Sequence, residues 1–112
     1  MFKLNINNIT DKPTIAIFTK GASTDLKYFG ESKSGTWKVD PNKEYDKVII
    51  YHRNEIANTN TIYAADFIRT EEANDSRSTI IFNNVEKVET TDSSWFDFTG
   101  NKSSNPIKYF NI

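Results

Sequence analysis

The stretch that most limits how this chain can fold is its centre. Asp46-Lys47-Val48-Ile49-Ile50-Tyr51-His52-Arg53 is followed, after a short polar break, by Thr61-Ile62-Tyr63-Ala64-Ala65-Asp66-Phe67-Ile68-Arg69. Val48 to Tyr51 is apolar without alternation, the pattern of a strand covered on both faces. In the second run Ala64 and Ala65 favour helix, but Ile62, Tyr63, Phe67 and Ile68 favour strand, and strand is the preferred reading. Only a short polar loop from Asn54 to Asn60 separates the two, so they are expected to pair antiparallel. Any fold for this chain must therefore place apolar material on both sides of a sheet.

The flanking segments are also β-prone. Thr14 to Phe18 is short and β-branched and ends at Lys20-Gly21, which predicts a strand. Ser23 to Gly30 reads either as one helical turn, capped by Ser23 or Thr24 and stopped by Gly30, or as an irregular loop. Ser32 to Gly35 reads as a turn and Thr36 to Val39 as a strand, with a sharp turn at Asp40-Pro41-Asn42. Ser78 to Phe82 predicts a strand, Asn83-Asn84 a turn, and Val85 to Thr90 a strand or ragged edge. Asp92-Ser93-Ser94 breaks the β pattern, and Trp95-Phe96-Asp97-Phe98 then opens a polar loop reaching Pro106. Ile107 to Phe110 can close the sheet. The expected fold is mostly β: a small bent sheet or pseudo-barrel of five to seven short strands with one or two short helices, in a single domain over 1–112.

Composition removes several chemistries. The chain has no cysteine, which excludes disulfides and thiolate chemistry, and its one histidine excludes a multi-histidine metal cluster. No Gly-rich phosphate loop or Gly-x-Ser-x-Gly elbow occurs, so no cofactor is expected. Met1 to Asn8 holds no apolar run of signal-peptide length, and no segment matches a membrane span. The expectation is a cytoplasmic protein that does not engage membranes. With 14 Lys and Arg against 15 Asp and Glu, net charge gives no general grip on nucleic acid.

Candidate site residues remain at the strand ends and in the aromatic loop. On a strand Val48, Ile50 and His52 share one face, and Ile49, Tyr51 and Arg53 the other. Asp66 interrupts an apolar run and needs a partner, with Arg53, Arg69, Arg77 and His52 as candidates. If His52 faced Asp66 across neighbouring strands, the two would make an acid–base pair. Trp95, Phe96 and Phe98, in a segment with few other apolar residues, either stack on a ligand or plug the end of a barrel, and Trp37 and Tyr28 pose the same question.

The block Tyr45-Asp46-Lys47-Val48-Ile49-Ile50-Tyr51, followed by Thr61 to Phe67, resembles the barrel core of PUA-like domains of the EVE and ASCH type. In these an Asp opens a strand of the form Asp-x-Val-x-x-Tyr, and the next strand carries small residues where the sheet curves. The resemblance spans about Trp37 to Phe82. Tyr45 stands where the family usually has Gly, as do Ala64 and Ala65. The resemblance implies a non-catalytic module that recognises a modified or flipped nucleobase in DNA or RNA. Trp37, Tyr51 and Trp95 would stack on the base, and Arg53 and Asp66 would read the base edge; Phe98 joins these ligand-binding candidates as an aromatic of the Trp95 segment. The alternatives are a small protein-interaction factor or inhibitor with a protein partner, and a nuclease built on His52.

Overall fold

The structure is a computed structural model, and it describes residues 4–21, 24–40, 42–73 and 76–112. Seven strands form one mixed sheet: β1 (Thr14–Thr19), β2 (Thr24–Asp25), β3 (Ser32–Trp37), β4 (Lys47–Asn54), β5 (Thr59–Glu72), β6 (Ser78–Thr91) and β7 (Ile107–Phe110). Their order across the sheet is β2-β3-β6-β5-β4-β1-β7. The fold is thus mostly β, with a 3-10 turn at Ile6–Asn8 and one short helix, α1 (Trp95–Thr99).

The two central runs are β4 and the first part of β5, antiparallel in the register Lys47↔Asp66 to Asn54↔Thr59. On its other side β4 pairs with β1 in parallel, Thr14↔Lys47 through Thr19↔His52. That parallel neighbour explains the unbroken apolar run. Val48 and Ile50 pack with Ile15, Ile17, Ile80 and Phe82 on one face, while Ile49 and Tyr51 pack with Ile6, Trp95 and Phe98 on the other.

Each face is covered differently. On the second face the 3-10 turn and α1 supply Ile6, Trp95 and Phe98. On the first face Ile80 and Phe82 of β6 share one core with Ile15 and Ile17 of β1, and Trp37, Val39 and Tyr109 pack against it. The β5–β6 ladder carries register shifts at Ile62/Tyr63, Ala64/Asp66 and Phe67/Arg69. Such bulges raise the local twist and turn the strand.

Several segments take a different form from the one read in the sequence. Asn83-Asn84 is no turn between strands. It is a bulge inside a single long β6, with Asn84 at φ 55°, a conformation asparagine tolerates better than most residues. Ser32 to Gly35 is not a turn but the start of β3. Ser32 and Ser34 are buried there, and Ser34 accepts the Trp37 indole N–H. Of the two readings of Ser23 to Gly30, no helical turn forms among the described residues: the short β2 is followed by an irregular bend, and Thr24 pairs with Ser34; Ser23, one of the two proposed caps, lies outside the described residues, as does Pro41 of the expected sharp turn. The aromatic segment is a helix rather than a loop. Ser94 caps α1 by accepting from Asp97 N (3.1 Å), and Gly100 ends it at φ 66°.

Gly35 marks the closest approach of β3 to β6. A Cβ there would lie 2.6 Å from Thr79 Oγ1 and 3.0 Å from Thr79 Cα. Gly35→Ala is expected to destabilise the protein by about 1–3 kcal/mol through overpacking, read as a lower urea midpoint with an unchanged slope.

Candidate ligand-binding cleft

The cleft forms where β4 and β5 run into their hairpin. Tyr51 is buried beneath it, its ring stacked on Phe18 at 5.4 Å between centroids and meeting Trp95 edge-on at 5.5 Å. Its hydroxyl donates to the Ser93 carbonyl (2.7 Å). Two positions later Arg53, on the same face of β4, emerges from this cluster. Its Nη1 donates to Asn60 Oδ1 (3.0 Å) and its Nη2 to Asn58 Oδ1 (2.6 Å). Asn60 is itself fixed by donating to the Thr91 carbonyl (3.2 Å). The guanidinium plane is therefore held by two amides, one from the hairpin turn and one from β5.

In front of Arg53 is an open cleft of about 550 Å³, walled by Phe18, Trp95 and Phe96, with Arg53, Asn60 and Asp92 on its polar side. Lys20 and Glu55, also lining it, pair with each other at 3.3 Å. A second hollow of about 490 Å³ adjoins the cleft, sharing Arg53, Asn60 and Asp92 with it and lined also by Asn58, Thr59, Thr90 and Thr91. One side is aromatic and the other is polar.

Lys108 on β7 holds the aromatic wall from behind. Its ammonium is buried, donates to Thr99 Oγ1 (2.9 Å) and the Asn101 carbonyl (2.7 Å), and sits 5.0 Å from the Trp95 ring centre and 5.5 Å from that of Phe96. A cation at the C-terminal end of α1 is favourably placed against its carbonyls. Burial pulls its pKa below the ordinary lysine value.

Of the residues singled out in the sequence, Tyr51, Arg53 and Trp95 converge at this cleft. Phe98 packs behind it, fully buried against Tyr51 and Trp95. Trp37 belongs to the opposite core. Asp66 is not at the cleft. It pairs with Lys47 at the far end of β4, six positions from the Arg53–Asn60 pair, or roughly 20 Å along the strand. Its partners are Lys47 and Asn84 in place of Arg53, Arg69, Arg77 or His52. The Asn84 amide and then Lys47 hold its carboxyl below the usual carboxylate range, and at 42% side-chain exposure the ion pair is worth less than about 1 kcal/mol. His52 stands opposite Thr61, so it forms no acid–base pair with Asp66.

Phe18, Asn60 and Asp92 complete the cleft but were not among the residues read from the sequence, whereas Phe96, which also lines it, was raised there beside Trp95 and Phe98. Asn60 had a signal, since hairpin pairing places it across from Arg53. Phe18 had none, because it reaches Tyr51 only through the parallel pairing of strands distant in sequence.

Burial raises the Tyr51 phenol to a pKa of about 12. A phenol whose folded value exceeds its unfolded value contributes stability below pH about 10, and loses it as pH rises toward the folded value. Tyr51→Phe is expected to cost about 1–2 kcal/mol at neutral pH through the lost bond to Ser93. It should also flatten the fall in stability above pH about 10, as measured by urea melts across the alkaline range.

Comparison with family models, with curated proteins and with solved structures returns no match for this chain. The cleft must be read from its own geometry. Among the described residues no His, Asp and Glu cluster is arranged to hold a metal ion, and no helix is long and apolar enough to cross a membrane.

Proposed function

We propose that this chain is a non-catalytic binding module that holds a modified or flipped nucleobase of a nucleic acid in the cleft beside Arg53. The observation that carries the reading is the meeting of an aromatic wall and an anchored guanidinium in one cleft. Phe96 is 45% exposed and Phe18 half-buried, so each presents ring surface to the opening. Stacking on such rings contributes about 1–3 kcal/mol per base. Arg53 has five N–H donors, and the bonds to Asn58 and Asn60 leave others for the edge of a planar ligand. The volume falls in the range of small-ligand sites, about 300–1,000 Å³. The likeness of the Trp37–Phe82 block to PUA-like domains supports the same reading. Within it, Trp37 and Asp66 have no part, and Phe18, Phe96 and Asn60 take their places.

The test is an equilibrium titration with short single-stranded oligonucleotides, unmodified and base-modified, following indole fluorescence. Saturable quenching supports the reading, and no change at any concentration up to millimolar removes it.

One observation favours a second reading, a protein-interaction factor. Phe29 is 93% exposed and its neighbour Tyr28 is 62% exposed, far from the cleft's lining. Adjacent exposed aromatics are typical interface anchors. Recovery of one stoichiometric protein partner, lost in Phe29→Ser, would support it.

A further inference from the structure

The cleft has two limbs, and the polar one is unused by a stacked base. The limbs adjoin at Arg53, Asn60 and Asp92, which line both. A group attached to a base held in the aromatic limb would pass directly into the polar limb. In a nucleotide the attached group is the sugar, and the phosphate follows it.

The charges decide which of these the polar limb suits. Lys20 is paired with Glu55, and among the described residues lining the polar limb Arg53 is the one cation and Asp92 the one carboxylate. The limb thus has no net positive charge for a phosphate, and the Asp92 carboxylate repels one. The same carboxylate is a strong acceptor for a hydroxyl O–H, and Thr59 and Thr90 add exposed hydroxyls beside it. Asp92 already interacts within the protein. A carboxylate has about four acceptor positions, so contacts within the protein are compatible with accepting from a ligand as well.

We infer that the polar limb is a sugar subsite that reads ribose hydroxyls. The ligand is then a ribonucleoside unit, free or within RNA, and not a deoxyribonucleoside unit. This rests on the base-binding reading above. In a chain the 3′ and 5′ oxygens are esterified, so the 2′-hydroxyl is the donor left for Asp92, and it is the group that separates RNA from DNA.

The test compares short oligonucleotides of one base sequence with ribose, 2′-deoxyribose and 2′-O-methylribose sugars, together with the free ribonucleoside. The ribose form is expected to bind about tenfold tighter than the deoxyribose form, the worth of one charge-assisted hydrogen bond. The 2′-O-methyl form, which has no O–H to donate, should match the deoxyribose form. Asp92→Ala, at an exposed position, should erase the difference while its thermal melt stays that of the parent. Free ribonucleoside binding as tightly as the oligonucleotide identifies a free ligand, and tighter oligonucleotide binding identifies RNA. Equal affinity for ribose and deoxyribose, or a preference for deoxyribose, overturns the sugar subsite and leaves the base reading standing. Binding of none of the ligands overturns both.

Discussion

Trp95→Ala is expected to destabilise the protein by about 3–5 kcal/mol, the cost of removing a large aromatic from a packed core. Trp95 is 6% exposed, although it lines the cleft. Its ring packs against Phe18, Tyr51 and Phe98, its indole N–H donates to the Asn105 carbonyl (3.0 Å), and the Lys108 ammonium lies over it. Alanine would empty the core beneath α1, orphan that carbonyl, and leave the buried ammonium without one of its two rings. Against a typical total of about 5–15 kcal/mol, a loss of this size brings a domain near unfolding. A urea melt followed by far-UV circular dichroism checks it. A midpoint close to that of the parent would mean that α1 does not cover this face. It follows that lost ligand binding in Trp95→Ala would report unfolding, not recognition.

Phe96→Ala is expected to have the opposite profile. Phe96 is the outward ring of α1, and its truncation removes stacking surface while leaving Trp95 and Phe98 in the core. The expected loss is about tenfold to a hundredfold in affinity, the worth of one stacked base, with stability changed by less than about 1 kcal/mol. Arg53→Lys should weaken binding as well. An ammonium cannot donate in the fixed fork that joins Asn58 and Asn60, so the hairpin loses its planar anchor. Affinity that survives both substitutions would show that the ligand does not enter between this ring and the guanidinium.

The sheet's centre was legible because burial on both faces leaves a direct mark. Val48 to Tyr51 can be apolar without alternation only where both sides are covered, and the structure covers them with β6 on one side and α1 on the other. The bulge was not legible. Asn83-Asn84 has turn chemistry, yet the long β5–β6 ladder absorbs it as a bulge, because Phe82 before it and Val85 after it are both held in one core. The helix at Trp95–Thr99 was hidden by its brevity. Ser94 and Gly100 bracket it correctly, but five residues give no helical period to detect.

The candidate site was half legible for a related reason. Arg53 and Trp95 were singled out by residue type, an arginine near a strand end and an aromatic in a polar segment, and Tyr51 by the PUA-like resemblance; the three meet at the cleft. Asp66 lies at the other end of the sheet as a consequence of the same antiparallel pairing, six positions beyond Asn60 along β5. β5 runs back along β4, so its Asp66 meets Lys47 while Asn60 meets Arg53.

The most direct test of the central claim is the affinity of the parent chain and of Phe96→Ala for one short single-stranded oligonucleotide, with both proteins shown to be equally folded. The cleft as described predicts saturable binding by the parent and at least a tenfold loss in the variant. Equal affinity of the two, or no binding by the parent, would contradict it.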